Sequence, residues 1–507
     1  MLNINNNANQ IKTEILIRII KLQLEGNLKK GVHYIPKQMA PKTREPYTCC
    51  IYHDREILRQ RVIARLGCAV ENMDEDAALE DFATEALERE SPTWPILTVL
   101  HEACHACVHT KYLVTNACQG CLARPCSTNC PKSAITITNH HAKINENMCS
   151  NCGLCMQNCP YHAIIKIPVP CEESCPVGAI TKDETGREVI DFHKCIFCGN
   201  CMRSCPFSAM MDKSQIVDVL KHIMNGKKVT ALYAPAIASQ FKVDSVNLEQ
   251  ALMNAGFTSV LEVAVGADIC ADKEAKEFTE RMERGDRLMT TSCCSAYVRA
   301  VRKHVPDLIP CISETRSPMH YTAEIAKKTD PDCVTVFIGP CLAKRREGLD
   351  DPMVDYVLSV EEVKALFIAK EIDPEKTEVK DEKILNKKYI PTSSGRNFAQ
   401  SGGVFASIKT RLKNPEILRP TVINGLNKKG MAQLAMYGKI NAGKMPAPPN
   451  CPNLIEVMAC EGGCIAGPGV IANPNNAMGQ LTKYVDAGNK ELIDGIPAKC
   501  NELDKKD

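Results

Sequence analysis

The chain has 507 residues, 44% of them hydrophobic, and a formal net charge of +2. That is enough apolar material for two to four domains, and a balanced charge argues against a nucleic-acid or membrane-surface role. No apolar run approaches the roughly 20 residues that span a bilayer, and the asparagine-rich start lacks a small-residue cleavage site, so a cytoplasmic protein is expected. Twenty-nine cysteines in a reducing compartment predict metal binding or thiol chemistry rather than disulfides.

Residues 11–24 read as an amphipathic helix, with Ile11, Ile15, Ile19 and Leu22 on one face. A Pro-rich turn leads to adjacent Cys49 and Cys50, then to the helical pattern DREILRQRVIARLG. An acidic, helix-prone stretch covers 74–90. Residues 1–100 are therefore a mainly helical region whose pattern carries no chemistry, and Cys49 and Cys50 read as structural.

Sixteen cysteines follow between 104 and 205. Cys149, Cys152, Cys155 and Cys159-Pro160 form the run CxxCxxCxxxCP, in which three thiolates hold one [4Fe–4S] cluster and the fourth reaches its neighbour. The partner run is Cys118, Cys121, Cys126 and Cys130. Crossing the fourth ligands predicts one cluster on Cys118, Cys121, Cys126 and Cys159, and another on Cys149, Cys152, Cys155 and Cys130. A second full run, Cys195, Cys198, Cys201 and Cys205, has only the half-run Cys171 and Cys175 before it, while the orphan pair Cys104 and Cys107 precedes the first unit. Nesting uses every thiol. The outer clusters would be Cys104, Cys107, Cys171 and Cys205, and Cys195, Cys198, Cys201 and Cys175. The alternative leaves Cys104 and Cys107 without a role and one cluster defective. Residues 101–212 are thus expected to hold two nested ferredoxin-like α+β units, the inner at about 116–167. After each fourth cysteine comes a related stretch, CPKSAITI, CPYHAIIKI, CPVGAITK and CPFSAMM, which predicts a short turn entering a strand.

After residue 211 strands alternate with helices. Strands are predicted at 227–237, 257–266, 286–294 and 333–341, with helices such as DKEAKEFTERMERG and SPMHYTAEIAKK between them. Alternation of this kind implies parallel sheets whose ligands sit beyond the strand C-terminal ends. The cysteines of TTSCC and IGPC fall there, and EVMACEGGC adds Cys460 and Cys464 among glycines.

Together TSCCSAY, GPCLAKRRE and EVMACEGGCIAGPG resemble the three signature segments of [FeFe]-hydrogenases, in the same order, over roughly 213–470. The run CCIYHDREILRQR and the altered signatures are closer to the group B branch. The resemblance implies an α/β catalytic domain at 213–470 with a C-terminal tail at 471–507. It also implies an H-cluster, a [4Fe–4S] cubane joined to a two-iron centre bearing CO, CN⁻ and a dithiolate amine. By position, Cys294, Cys341, Cys460 and Cys464 would hold the cubane, with Cys464 bridging to the two irons. Cys293 would exchange protons with the amine and Lys344 would bond a cyanide, while Pro235 and Phe398 would contact the cofactor. The proton relay would run Arg281, Glu277, Ser313, Glu274, Cys293. Read as residues alone, EAKEFTER is a charged helix face and Lys344 a surface lysine paired with Glu347.

Several residues depart from the resemblance. Gly339 stands where Met is usual, Ser295 and Tyr297 replace Pro and Trp, and Pro468 interrupts a glycine triplet. Ala236 replaces a small hydroxyl and Met319 a Gln, whereas Phe398 and Gly402-Gly403 match. The expected function is reversible reduction of protons to dihydrogen, with electrons passing through about four additional [4Fe–4S] clusters from ferredoxin or a similar low-potential carrier. Maturation proteins would insert the cofactor. The alternatives are a hydrogen sensor, or a non-catalytic hydrogenase-like scaffold or electron carrier.

Overall fold

The computed structural model describes residues 6–71, 73–74, 76–104, 107, 112–379 and 389–488. The first helix runs Asn7–Leu24, one turn longer than predicted, because the Asn6 side chain caps it by accepting from the Asn9 backbone N–H. Its buried stripe is Lys12, Ile15, Leu16, Ile19, Ile20 and Gln23. That stripe lies on the helices Ile216–Met224 and Val360–Ala369, so the N-terminal helices share one core with the rest of the chain.

Each Cys-Pro repeat turns into a strand: Ile135–Thr138, Ile164–Lys166, Ile180–Lys182 and Met210–Asp212. In the inner unit Ile135–Thr138 pairs with His141–Ile144, and Tyr112–Val114 pairs antiparallel with Ile164–Lys166. The outer unit pairs Ile180–Lys182 with Glu188–Ile190 and is closed by Leu97–Val99 on Met210–Asp212. That closing strand comes from upstream of residue 101.

The remainder holds two parallel sheets. One is ordered Ser259–Glu262, Val229–Tyr233, Val334–Ile338, Tyr356–Leu358, and the other Met289–Thr290, Leu454–Met458, Pro420–Asn424. The predicted strand 257–266 stops at Glu262, and the helix Ala264–Arg284 takes over VAVG. Residues 474–486, expected within the tail, form the helix Pro474–Asp486, packed on Ala236–Phe241 and Ser393–Arg396. Among the described residues no helix is long and apolar enough to cross a membrane.

Candidate active site

One device repeats through the cysteine-rich region. The third residue after each fourth cysteine, Ser133, His162, Gly178 and Ser208, has φ between 47° and 60°. This left-handed turn swings the next residue, a buried alanine each time, so that its N–H points back at the thiol. Ala134 donates to Cys130 Sγ at 3.3 Å, Ala163 to Cys159 at 3.4 Å, Ala179 to Cys175 at 3.2 Å and Ala209 to Cys205 at 3.4 Å. A backbone N–H aimed at sulfur stabilises a thiolate, and such bonds raise cluster potentials.

The thiols also gather in space. Cys104, Cys107, Cys171 and Cys205 lie in one another's field, and so do Cys175, Cys195, Cys198 and Cys201. Cys126 lies beside Cys121 and Cys159, and one small cavity is lined by Cys130, Cys149, Cys152 and Cys155. Among the described residues no three Cys, His, Asp or Glu side chains converge tightly enough for a single metal ion. Cluster ligands stand farther apart than that, around a body of iron and sulfide.

At the C-terminal ends of the two parallel sheets the chain delivers Pro235 after Val229–Tyr233, Cys293 and Cys294 after Met289–Thr290, Cys341 after Val334–Ile338, and Cys460 and Cys464 after Leu454–Met458. Cys294, Cys341, Cys460 and Cys464 are all within one another's electrostatic reach. Burial and the neighbouring thiols push Cys341 up to about 11 and Cys464 up to about 12. Four soft donors that oppose each other's ionisation become thiolates when a cationic cluster neutralises them, so this donor set fits a cubane. Phe398 is buried in the 3₁₀ turn Asn397–Ala399 next to the Cys460 loop. Gly463, at φ 97°, forms an isolated bridge with Gln400, where a Cβ would meet the Ala399 carbonyl oxygen at 2.7 Å. Glu456, unnoticed in the sequence, is fully buried and accepts from the N–H groups of Gly402 (2.7 Å) and Phe405 (2.9 Å). It ties the Gly402-Gly403 turn to the strand that carries Cys460.

The helix Ala264–Arg284 carries the acids. Glu274 is fully buried and Arg281 nearly so, which is no solvated face. Arg281 donates through Nε to Glu277 Oε1 at 2.9 Å and through its other nitrogens to the carbonyls of Pro310 and Ile312. Ser313 Oγ donates to Glu277 Oε2 at 2.6 Å and lies close enough to Glu274 to favour its charged form. Glu274 Oε1 accepts from the Ser292 N–H at 3.0 Å, whereas Oε2 is buried without a hydrogen-bond partner. Burial pushes the Glu274 carboxyl up to about 7. Cys293 lies in the field of Glu274, and no hydrogen bond joins the two. Cys270, one helical turn before Glu274, is a further buried thiol in the field of Cys293 and donates to the Arg316 carbonyl at 3.5 Å. Its signal in the sequence is the four-residue spacing from Glu274.

The departures have partners. Lys344 is buried, not on the surface, and its Nζ donates to Glu347 Oε2 at 2.7 Å. The Ser295 and Ser317 hydroxyls donate to the same carboxylate. Tyr297 OH donates to Thr290 Oγ1 at 2.6 Å. At Gly339 a Cβ would meet the Phe337 ring at 2.5 Å, so Phe337 fills that space, and Met319 joins the same cluster. Pro468 packs over Gly199 of the Cys198–Cys201 loop, and Arg203 donates to the Ala466 carbonyl at 2.6 Å. The Cys198–Cys201 loop and the segment after Cys464 thus clasp each other.

Residues 227–468 match the iron only hydrogenase large subunit, C-terminal domain. Residues 170–209 match a 4Fe-4S dicluster domain and 142–165 a 4Fe-4S binding domain. The chain is an iron–sulfur protein with ferredoxin-like units ahead of a hydrogenase-type domain. It is, in short, iron-only-hydrogenase-like. The periplasmic [Fe] hydrogenase large subunit of Nitratidesulfovibrio vulgaris is 27% identical over 336 residues, covering 55% of this chain and 78% of that one. Iron hydrogenase 1 of Clostridium pasteurianum is 27% identical, covering 52% and 53%, so the chain spans about half the length of that relative. The cytosolic Fe-S cluster assembly factor NAR1 of Yarrowia lipolytica is 23% identical over 386 residues, covering 58% and 76%. A solved [FeFe]-hydrogenase HydA1 variant from Chlamydomonas reinhardtii is similar with a TM-score of 0.43 at 20% identity, over 55% and 90% of the two chains.

Proposed function

We propose that the chain is a cytoplasmic hydrogenase that interconverts dihydrogen with two protons and two electrons. The observation that carries this reading is the buried run from Arg281 through Glu277 and Ser313 to Glu274, which a scaffold or simple electron carrier has no use for. Cys294, Cys341, Cys460 and Cys464 would hold the H-cluster, Cys464 would also be the ligand toward its two-iron part, and Pro235 and Phe398 would contact it. When bound, that group supplies the making and splitting of dihydrogen. The protein supplies protons, electrons and position. Glu274 Oε2, buried and unpartnered, is the atom that holds a proton, and a carboxyl near 7 loads and unloads at neutral pH. Cys293 Sγ carries the proton on the last leg, and the Lys344 ammonium offers compact charge to a small anion. The sixteen thiols from Cys104 to Cys205 hold four [4Fe–4S] clusters in two nested units within 101–212, between a helical region at 1–100 and the catalytic domain at 213–470. Dihydrogen, protons, a low-potential electron carrier and cofactor-maturation proteins are the partners of this reading.

The test is infrared spectroscopy of protein matured alongside a known hydrogenase. CO and CN⁻ bands together with dye-linked hydrogen turnover are expected. Loss of both while the control matures normally overturns the reading. A scaffold without the two-iron unit is the second reading, favoured by the likeness to NAR1 and by the engagement of Lys344 with Glu347.

A further inference from the structure

Cys49 and Cys50, read from the sequence as structural, have partners in the fold. The loop that carries them is tied to one buried carboxylate, Asp54. Asp54 accepts from Arg44 Nη2 at 2.5 Å, from the N–H groups of Tyr47 and Thr48 at 2.9 and 3.1 Å, and from Thr48 Oγ1 at 2.7 Å. The pair is thereby held at the start of the helix Ile51–Arg65, with Cys49 exposed and Cys50 half-buried. The two sulfurs lie within hydrogen-bonding reach of each other. The N–H groups of His53 and Tyr52, at the positive end of the helix, favour the Cys50 thiolate, while loss of hydration and Cys50 itself keep Cys49 a thiol. His53 Nδ1 is 3.5 Å from Cys49 Sγ, and its Nε2 is 3.3 Å from Glu102 Oε2. Glu102 accepts in turn from Arg187 Nη2 at 3.2 Å, and its own N–H donates to Gln60 Oε1 at 3.2 Å. A carboxylate at Nε2 keeps the ring N–H on that side and leaves Nδ1 bare toward the sulfur. Thiolate, second thiol, base and orienting carboxylate are the parts of an activated nucleophile.

We propose that Cys49 and Cys50 are a thiol–disulfide exchange site for a disulfide-bearing partner protein, Cys50 attacking and Cys49 resolving, with His53 as the base. The Cys50 thiolate attacks one partner sulfur. A bond from Cys50 to the partner forms, the partner's S–S bond breaks, and its other sulfur leaves as a thiolate. Cys49 then gives its proton to His53 Nδ1 and attacks Cys50 Sγ, which forms the Cys49–Cys50 disulfide and releases the second partner sulfur. The proton passes from His53 to one of the two released thiolates. The partner has gained two electrons and the pair has lost two. A dithiol partner running the same steps backwards restores the pair. A metal ion is disfavoured as occupant, because no three ligands converge on one point among the described residues. A protein is favoured over a small oxidant. Tyr47 and Tyr52, each two residues from a thiol of the pair, are 68% and 63% exposed, and tyrosines in water suit protein contacts. This chemistry stands apart from the hydrogenase reading, whose cluster thiols it does not use.

The experiment uses the iron-loaded full chain, kept free of oxygen, with insulin as the protein disulfide and glutathione disulfide as the small one. In Cys49→Ser a mixed disulfide with insulin is expected to accumulate, since the resolving thiol is gone, and peptide mass spectrometry should place it on Cys50. Cys50→Ser should lower the adduct about tenfold or more, and His53→Gln should slow release from Cys50 severalfold in a chain that keeps both thiols. Iron content should match the wild type in all three variants. In the wild type, which depends on no variant folding, brief iodoacetamide treatment should label Cys50 before Cys49. The double variant Tyr47→Ala/Tyr52→Ala should react severalfold more slowly with insulin and at the wild-type rate with glutathione disulfide. An adduct equally abundant in Cys49→Ser and Cys50→Ser, or absent from both, overturns the proposal. So does a pair that hydrogen peroxide oxidises while both disulfides leave it untouched, or one that holds zinc and exchanges with neither. Equal slowing with both disulfides in the tyrosine variant overturns a protein as the partner.

Discussion

At the scale of single residues, the site turns on carboxylates placed where water is absent. Glu274 is held by Ser292 through one oxygen and by nothing through the other. A carboxyl whose pKa is higher in the folded chain than in the unfolded one favours the fold while protonated. That contribution is present at acid pH and lost as the pH rises through about 7. A carboxyl stretch that disappears in Glu274→Gln should therefore titrate near 7 in the infrared, protonated below and ionised above, and a midpoint in the ordinary carboxylate range would remove Glu274 from the relay. Cys293→Ala should leave the CO and CN⁻ bands in place yet reduce hydrogen turnover by about 100-fold or more, the size of a lost proton-transfer group. Wild-type rates in that variant would refute its part. Glu456 and Phe337 were not legible in the sequence, and Cys270 only through its four-residue spacing from Glu274. Each acts through contacts with chain more than 40 residues away, Glu456 with Gly402, Cys270 with Arg316, or by filling a gap that only the fold creates, as Phe337 does beside Gly339.

At the scale of elements, the grouping of cysteines is readable because cluster chemistry fixes ligand spacing, and each Cys-Pro repeat announces its strand. The boundary at 263–266 was not readable. The residues Ala264–Ala271 are all buried, with Asp268 the one charged side chain among them, so the first two turns of this helix have no solvent-facing side, and a mostly apolar run without a period reads equally as strand. The short strand Leu454–Met458, buried along its whole length, escaped for the same reason. The loop of Cys460 and Cys464 depends on a conformation that only glycine adopts at low cost. Gly463→Ala should destabilise it by about 1–3 kcal/mol, from the strained backbone and the approach to Ala399. Thermal loss of cluster absorbance should move to lower temperature in that variant. Gly479→Ala, where a Cβ meets nothing within 4 Å, is the control and should not move it.

At the scale of the whole molecule, the helix Ile51–Arg65, the outer iron–sulfur unit and the hydrogenase-type domain are sewn together by long-range ion pairs. Arg65 reaches both Asp212 and Glu361, and Arg345 reaches Asp212 and Glu362. Buried charges of this kind are costly to leave half-paired, so Asp212→Ala should impair expression of the full chain rather than tune its chemistry, by about 3–5 kcal/mol. Soluble yield and unfolding temperature measure this. Normal values for both would show that the three parts fold independently.

The inner unit stands outside that stitching. Its first strand, Tyr112–Val114, runs beside its last, Ile164–Lys166, with Tyr112 opposite Lys166. The chain therefore leaves the outer unit and returns to it at nearly the same point, as a detour does on a road. A detour can be closed without cutting the road. A version in which a short glycine linker replaces residues 112–166 should keep the other clusters and dye-linked turnover, while losing two clusters, or about eight irons. A single insertion or deletion at this point could then change the number of cluster-binding units and leave the hydrogenase-type domain untouched.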